Sequence, residues 1–191
     1  FINHYHDDDG YIAALASKIR AYWQQNGQAE RLVMSFHGVP ERTLKLGDPY
    51  HCECQKTARL LAEKLGLSRD RYQLTFQSRF GKAKWLQPYT EPTLIQLAQA
   101  GVKSVDVVCP GFTGDCLETL EEINMEARHA FMAAGGTAFN YIECLNDSPQ
   151  WLAGLAELSI RHLGCWPTMA AADPEALAAS SALAQALGAP Q

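Results

Sequence analysis

Short apolar segments alternate with longer amphipathic segments along this chain, and this alternation is what most restricts its fold. Each apolar segment has the length of a β-strand, and each amphipathic segment is long enough for a helix. The resulting order, αβαβαβαβα, is typical of a parallel sheet covered by helices. We therefore expect an α/β fold, Rossmann-like in its layering, with a four-stranded parallel sheet and helices on both faces. The predicted strands are 32–36, 72–76, 105–109 and 139–144, and the predicted helices are 11–25, 50–65, 91–100, 115–134 and a last helix with Trp151, Leu155, Leu158 and His162 on one face.

Length and composition indicate one main domain followed by a tail. The chain has 191 residues, enough for a domain with its own core. We place this domain at residues 1–166 and predict a loop in its Gly- and Pro-rich segment up to Pro49. Residues 167–191 are rich in alanine and are predicted to be disordered or loosely docked, with a short helix capped at Asp173 and Pro174. The chain opens on Phe1 and not on methionine, which suggests a piece of a longer protein.

Charge and cysteine content exclude several classes of function. The net charge of −5 argues against a nucleic-acid-binding protein, which needs a basic patch. No apolar run is long enough to span a bilayer. The six cysteines lack the spacing of a small disulfide-bonded domain, so we predict reduced thiols in a cytoplasmic protein. Cys52 and Cys54 form the one close pair, and two thiols are too few ligands for a zinc site.

An acidic segment directly follows the third predicted strand. Asp115, Glu118 and Glu122 are spaced i, i+3 and i+7, so on a regular helix all three carboxylates would point the same way. The carboxyl end of a strand is where open α/β folds place their active sites. Acids are also favoured in the first turn of a helix, which explains Asp115 and Glu118 but not Glu122. A functional acid cluster and a structural one both remain open.

His37 is a second candidate, because it also follows an apolar strand. Gly38 and Pro40 come after it and predict a loop that holds the ring at the carboxyl end of the strand. A lone histidine is more often a core or turn residue, but a neutral imidazole in this position can bind a divalent metal ion or accept a proton. His37 and the acidic segment together suggest a site that binds a divalent metal ion or transfers protons.

A basic and aromatic loop, residues 77–85, follows the second predicted strand. It combines the positive charges of Arg79, Lys82 and Lys84 with the rings of Phe80 and Trp85. Stacking on nucleic-acid bases is one use of this combination. The acidic net charge of the chain favours a flat, anionic small molecule instead.

The motifs of this chain, taken together, resemble those of ferrochelatase. Their residues are most similar to those of the enzymes of Gram-negative bacteria. The matching segments run in order over nearly all of residues 1–163, and they are 35–40, 47–50, 75–81, 85–88 and the acidic stretch 109–123. The resemblance implies a lyase that inserts Fe²⁺ into protoporphyrin IX to form protohaem, the terminal step of haem synthesis. It also implies two similar α/β domains, of which this chain is the C-terminal one. The missing N-terminal domain would supply the other wall of the porphyrin cleft, so the chain alone is expected to be nearly inactive.

The resemblance also implies roles for individual residues. His37 and Glu118 match the catalytic residues of the family and are expected to face the metal ion. Asp115 and Glu122 match an acidic trail that leads away from the site and are expected to bind metal as well. The expected substrate-binding residues are Trp85, Phe112, Ser78 and Arg79.

No cofactor is expected beyond the substrate Fe²⁺. Some ferrochelatases carry a [2Fe–2S] cluster on a set of cysteines, but Cys165 stands alone in the tail, so no cluster is predicted. The expected partners are protoporphyrin IX, ferrous iron and the missing N-terminal domain, without nucleic acid; peripheral contact with the inner membrane is left open. Two alternatives stay open: a chelatase for coproporphyrin or a cobalt corrinoid precursor, and a non-catalytic porphyrin- or metal-binding module.

Overall fold

A sheet of four parallel strands, in the order β2-β1-β3-β4, forms the centre of the fold. The computed structural model describes residues 1–164, 166 and 173–189. The strands are β1 (Arg31–His37), β2 (Tyr72–Gln77), β3 (Ser104–Val108) and β4 (Ala138–Tyr141). The helices are α1 (Asp9–Asn26), α2 (Glu41–Lys45), α3 (Tyr50–Leu65), α4 (Thr90–Gln99), α5 (Leu117–Leu120), a π-helical segment (Glu122–Ala127), α6 (Arg128–Ala133), α7 (Pro149–Leu163) and α8 (Pro174–Ala186), with a 3₁₀ turn at Arg69–Arg71. The predicted four-stranded parallel sheet is confirmed.

Helices cover both faces of the sheet, as predicted. Successive side chains of a strand point to opposite faces. Leu32, Met34 and Phe36 of β1 therefore pack in the cluster formed with α1, α3 and α7, whereas Val33 packs in the cluster formed with α4, the π-helical segment and α6. These four side chains are at most 2% exposed, and burial of each contributes about 1.5–3 kcal/mol.

A close crossing of α1 and α7 fixes the loop that follows β3. A Cβ added to Gly10 would lie 3.0 Å from the Cα of Gly154, so a larger residue at either position would push the helices apart. Beside this crossing, the ring of Tyr11 packs edge-on against Trp151, with 5.7 Å between centroids. The Tyr11 hydroxyl donates a hydrogen bond to the carbonyl oxygen of Pro110, which immediately precedes the candidate site.

Predicted helix and strand boundaries were wrong in the second half of the chain. The helix predicted over 115–134 begins only at Leu117, and a π-helical segment interrupts it. The strand predicted over 139–144 ends at Tyr141; Cys144 was included because it is apolar, and it is buried without being in the strand. Leu155 was predicted to share one face of the last helix with Trp151 and Leu158, but it is 39% exposed, and Gly154 is buried with those two residues instead.

The segment predicted to be a loop up to Pro49 was wrong in one part. It contains α2, which begins directly after Pro40. Pro40 has an extended backbone (φ −57°, ψ 132°), so the chain turns into the helix at the following residue. The glycine and proline content of the segment predicted a loop and gave no sign of this one-turn helix.

The chain divides into two compact units, residues 1–158 and residues 159–191. The predicted domain boundary at residue 166 stays a prediction. In the second unit, α8 begins at Pro174, and the Asp173 carboxylate caps it by accepting hydrogen bonds from the main-chain amides of Glu175 and Ala176. The rest of the predicted tail lies partly outside the described residues. Across the described ranges, no helix is both long enough and apolar enough to cross a membrane.

Candidate functional site

The strand order brings His37 and the loop after β3 together. β2 is added on one side of β1, whereas β3 and β4 are added on the other side, so the strand order reverses between β1 and β3. Ligands of open α/β sheets bind at such a point, beyond the carboxyl ends of the strands. His37 ends β1, Gly111 and Phe112 follow β3, and the centroids of the His37 and Phe112 rings are 6.1 Å apart. A Cβ on Gly111 would lie 3.6 Å from the main-chain nitrogen of His37.

The imidazole of His37 is held in one orientation. Its Nδ1 lies 2.6 Å from the carbonyl oxygen of Gly38. A carbonyl oxygen can only accept a hydrogen bond, so Nδ1 carries the proton and the Nε2 of the neutral ring keeps a free lone pair. The Tyr50 hydroxyl donates to the main-chain oxygen of His37 at 2.8 Å, and the Trp85 ring lies 6.5 Å from the imidazole. This half-buried side chain therefore presents Nε2 as a base or a metal ligand.

Glu118 lies in the first turn of α5 and interacts electrostatically with His37. A hydrogen bond from the Cys116 thiol, together with the amide of Glu118 itself, lowers the pKa of this carboxyl below its ordinary value. The positive charge of a protonated His37 lowers the same pKa further. Glu118 is thus an ionised carboxylate at neutral pH, near a histidine with a free ring nitrogen.

Glu122 contacts the loop after β2 instead of the imidazole. Its carboxylate accepts hydrogen bonds from the main-chain amide of Ser78 at 2.6 Å and from the Ser78 hydroxyl at 2.5 Å. The side-chain amide of Gln77 adds a longer bond of 3.3 Å. Ser78 has a left-handed backbone, with φ of 62°, which a non-glycine residue rarely adopts. The side chain of Glu122 therefore stabilises a strained turn at the edge of the site.

Gln77 joins the elements of the site, although the sequence did not point to it. It pairs with His37 in the β1–β2 register and is 4% exposed. Its Nε2 donates to the main-chain oxygen of Glu118 at 2.6 Å, and its Oε1 accepts from the buried Ser35 hydroxyl at 2.8 Å. A polar residue at the last position of a buried strand was the signal that could have identified it, since such a group needs partners.

Asp115 precedes the helix and points away from Glu122. Burial alone would raise its pKa, but hydrogen bonds from Tyr141, Asn146, Thr119 and the Cys144 amide outweigh burial and leave the pKa below its ordinary value. The Asn146 side-chain amide donates at 2.7 Å, and the Thr119 hydroxyl at 3.0 Å. Asp115 therefore ties α5 to the segment that follows β4.

The prediction that Asp115, Glu118 and Glu122 point the same way was wrong. It assumed a regular helix from residue 115, whereas Cys116 is the N-cap and Glu122 opens the π-helical segment. Within the described part of the chain, no group of three drawn from His37 and these carboxylates has its ligand atoms close enough to share one ion. A metal ion between His37 and Glu118 would thus need further ligands from a bound molecule.

The loop after β2 places aromatic and basic groups next to the acidic helix. An open cavity of about 680 Å³ is lined by Ser78, Arg79, Phe80, Leu117, Glu118 and Glu122, among others. Phe80 and Leu117 are 64% and 73% exposed, so an apolar surface borders Glu118. The Trp85 indole N–H donates to the Phe80 carbonyl oxygen at 2.9 Å, and the Arg79 guanidinium lies over the Tyr89 ring, 5.0 Å from its centroid. A flat molecule with anionic groups fits the chemistry of this loop.

Cys165, the residue on which the prediction about an iron–sulfur cluster depends, lies outside the described residues. The prediction that no such cluster forms is therefore untested. Cys52 is exposed, and burial raises the pKa of the neighbouring Cys54 to about 12. A thiol with so high a pKa is a poor metal ligand, because metals bind the thiolate.

Comparison with known proteins identifies the family. The sequence model described as ferrochelatase matches residues 1–163. Curated proteins named ferrochelatase are 73% identical over 191 residues in Polaromonas sp. strain JS666, 66% over 189 residues in Methylibium petroleiphilum and 53% over 192 residues in Dechloromonas aromatica. These alignments cover 99–100% of this chain and 52% of each relative, so the chain spans about half the length of the proteins it matches. The chain belongs to the ferrochelatase family.

Proposed function

We propose that this chain is the C-terminal half of an enzyme that inserts Fe²⁺ into protoporphyrin IX and releases protohaem. The observation that carries the proposal is where the two side chains lie: His37, whose Nε2 is free, ends β1, and the ionised Glu118 lies in the segment after β3, the neighbouring strand at which the strand order reverses. Fe²⁺ is a substrate here, and imidazole and carboxylate are both ligands that suit it. Membership of the family and the shared sequence over the whole chain support the assignment.

The reaction must remove two protons from the porphyrin for each metal ion inserted. Fe²⁺ forms bonds to four pyrrole nitrogens, two N–H bonds break, and both protons leave to a base or to solvent. We assign the first acceptor to Nε2 of His37, because a carboxyl with a lowered pKa, such as Glu118, is the weaker base. Glu118 then stabilises the imidazolium by its negative charge.

Glu118 also has the charge needed to attract a hydrated cation. Its carboxylate is on the surface of an open cavity, and Glu122 lines the same cavity one helical turn further. The predicted metal-binding role of Glu122 and Asp115 stays a proposal. Their oxygens already accept hydrogen bonds from Ser78 and Asn146, which favours a positioning role for both carboxylates.

The porphyrin would lie against the aromatic residues that flank the imidazole. The ring centroids of Phe112 and Trp85 lie 6.1 and 6.5 Å from that of His37. The exposed guanidinium of Arg79 is suited to a porphyrin propionate, because a planar fork of N–H donors matches a carboxylate. Contacts remote from the metal could bend the macrocycle and expose its nitrogen lone pairs.

The other wall of the cleft would come from an N-terminal domain. The relatives are about twice as long as this chain, which supports that view. The apolar surface formed by Phe80 and Leu117 would then be covered in the longer protein. We expect the chain alone to be nearly inactive in metal insertion.

The decisive experiment measures Fe²⁺ insertion into protoporphyrin IX, without oxygen, by the parent-length protein, meaning this chain joined to such an N-terminal half. His37→Ala is compared with wild type and with His129→Ala, which replaces an exposed histidine on α6. We expect turnover in wild type and His129→Ala, and a loss of at least about 100-fold in His37→Ala. Wild-type protein that binds the porphyrin without metallating it would instead favour the non-catalytic binding module.

Substrate preference separates the remaining alternatives. The same preparation is assayed with coproporphyrin and with Co²⁺ and a corrinoid precursor. Faster turnover of coproporphyrin would identify it as the natural substrate in place of protoporphyrin IX, and faster turnover of Co²⁺ with the corrinoid precursor would identify that pair in place of protoporphyrin IX and iron. The proposed roles of His37 and Glu118 would stay the same. Flotation with anionic vesicles tests the proposed peripheral contact with a membrane, and a cytoplasmic location would be tested by cell fractionation.

A further inference from the structure

We propose that His4, His6 and Glu53 form a second site for a divalent transition-metal ion, separate from His37 and Glu118. One ligand atom from each of the three side chains lies within 4.8 Å of the others. His4 and His6 belong to the segment before α1, and Glu53 belongs to the first turn of α3. The site thus joins two elements that are far apart in the sequence.

The distance between His6 and Glu53 suits two ligands of one ion better than a direct hydrogen bond. Nδ1 of His6 lies 3.8 Å from Oε1 of Glu53, which is too long for a hydrogen bond. Two ligands at the usual zinc distances of roughly 2.0–2.1 Å are about 3.3 Å apart in tetrahedral geometry. Nδ1 of His4 lies 2.7 Å from the same oxygen. Increasing this separation by roughly 0.6 Å would reach the spacing of two ligands of one ion.

The buried nitrogen of His6 is the observation that points to a ligand. Its Nδ1 is inaccessible to solvent and has no hydrogen-bond partner within the part of the chain that the structure describes. Buried polar atoms without a partner are rare and call for an explanation such as a bound ion. The carboxylate of Glu53 faces this nitrogen, so the site offers both a lone pair and a negative charge to a cation.

The segment that carries both histidines is fixed on three sides. The Thr57 hydroxyl donates to the main-chain oxygen of His6 at 2.7 Å, and Lys56 pairs with Asp7. The Tyr5 ring packs edge-on against Tyr11 with 5.4 Å between centroids. The rings of His4 and His6 are nearly perpendicular, at 88°, and their centroids are 6.3 Å apart. A site on a segment held in this way needs little rearrangement to bind.

The ligand set defines the class of ion. Two imidazoles and one carboxylate suit Zn²⁺, Fe²⁺, Co²⁺, Ni²⁺ or Cu²⁺ better than Mg²⁺ or Ca²⁺. Three protein ligands leave a position for water or an exchanging group, unlike the closed set of a structural zinc site. The His4 side chain is 51% exposed, so an ion can enter from solvent. Cys54 borders the same open cavity of about 550 Å³, but its high pKa argues against a thiolate ligand.

The test is titration of the parent-length protein with Co²⁺ alone, followed by its visible d–d absorption. A His37→Ala background removes the proposed active-site ligand, so that the second site is measured by itself. We expect one bound Co²⁺ in His37→Ala, and affinity lower by at least about 10–100-fold when His6→Ala or Glu53→Gln is added. Adding His129→Ala, an exposed histidine elsewhere, should change nothing.

Thermal unfolding with and without Zn²⁺ provides a second measurement that does not depend on absorption. Zn²⁺ should raise the midpoint of the His37→Ala protein and not that of the His6→Ala or Glu53→Gln double variants. Glu53→Gln keeps the shape of the side chain, so it decides the result even if His6→Ala fails to fold. Unchanged Co²⁺ affinity in Glu53→Gln, or no Co²⁺ bound in His37→Ala, would overturn the proposal without affecting the proposed chelatase function.

Discussion

Glu122 accepts hydrogen bonds from both the main-chain amide and the hydroxyl of Ser78, at 2.6 and 2.5 Å. One carboxylate on the π-helical segment thereby stabilises the left-handed turn that ends β2. The contact explains why an acid is present so far from the helix N-terminus, which the helix dipole alone does not explain.

Glu122→Gln should loosen the turn at Ser78. The neutral amide loses the charge-assisted bonds, and we expect the local opening free energy to fall by about 1–3 kcal/mol. Amide hydrogen exchange of the segment 77–85 measures this opening. Glu121→Gln, an exposed neighbour, is the control and should leave exchange unchanged. Equal exchange in the two variants would mean that the turn does not depend on Glu122.

Gly38→Ala should destabilise the protein by about 1–3 kcal/mol, the usual range for an overpacked site. A Cβ on Gly38 would lie 2.8 Å from the main-chain oxygen of Gln77 and 3.3 Å from Cε3 of Trp85. The carbonyl belongs to a strand end and cannot move freely, so Trp85 and the β1–β2 pair must shift. Thermal unfolding and tryptophan fluorescence measure both effects.

Gly114→Ala is the matched control for Gly38→Ala. Its added Cβ would come no closer than 3.9 Å to its nearest neighbour, the Oδ1 of Asn146, and should be tolerated. If both variants lowered the unfolding midpoint equally, steric contact with Gln77 and Trp85 would not be the cause.

The four parallel strands could be predicted from the sequence, because apolar segments of strand length alternate with amphipathic segments of helix length. Leu32, Met34 and Phe36 are apolar at alternate positions with Val33 between them, and both sets are buried as a two-sided strand requires. Gly66 ends α3 with a left-handed φ of 73°, the conformation that a glycine directly after an amphipathic helix typically adopts.

The orientation of the acids could not be predicted, because it depends on contacts between distant residues. Spacing along a regular helix put Asp115 on the same face as Glu122. Tyr141, which ends β4, and Asn146, which follows it, bind Asp115, and no local sequence pattern indicates these contacts. The π-helical segment likewise gives no periodic signal in a short window.

Asp115→Asn should cost stability near neutral pH and little in acid. The folded-state pKa of Asp115 lies below its ordinary value of 3.8, so the ionised form is favoured by folding. This contribution is present above the ordinary pKa and is lost as the pH falls through the lowered pKa. We expect a loss of about 1–3 kcal/mol at neutral pH, from bonds to a charged group.

Urea unfolding of wild type and Asp115→Asn over a series of pH values checks this dependence. The difference between the two proteins should shrink as the pH falls below the ordinary aspartate pKa. Asp147→Asn, which alters an exposed carboxyl in the same region, should follow wild type at every pH. A difference that stays constant down to strongly acid pH would show that the hydrogen bonds of Asp115 do not depend on its charge.

The neutral imidazole of His37 should carry its proton on Nδ1. The carbonyl oxygen of Gly38 lies 2.6 Å from that nitrogen and can only accept, so this tautomer keeps the hydrogen bond and the other loses it. Nitrogen-15 NMR of labelled parent-length protein distinguishes the two nitrogens by their chemical shifts, with His129→Ala and His37→Ala used for assignment. Addition of Zn²⁺ should then move the Nε2 signal of His37 and leave Nδ1 protonated. A protonated Nε2 in the neutral ring would instead turn the lone pair toward Gly38, and His37 could neither bind iron nor accept a pyrrole proton in the orientation seen here.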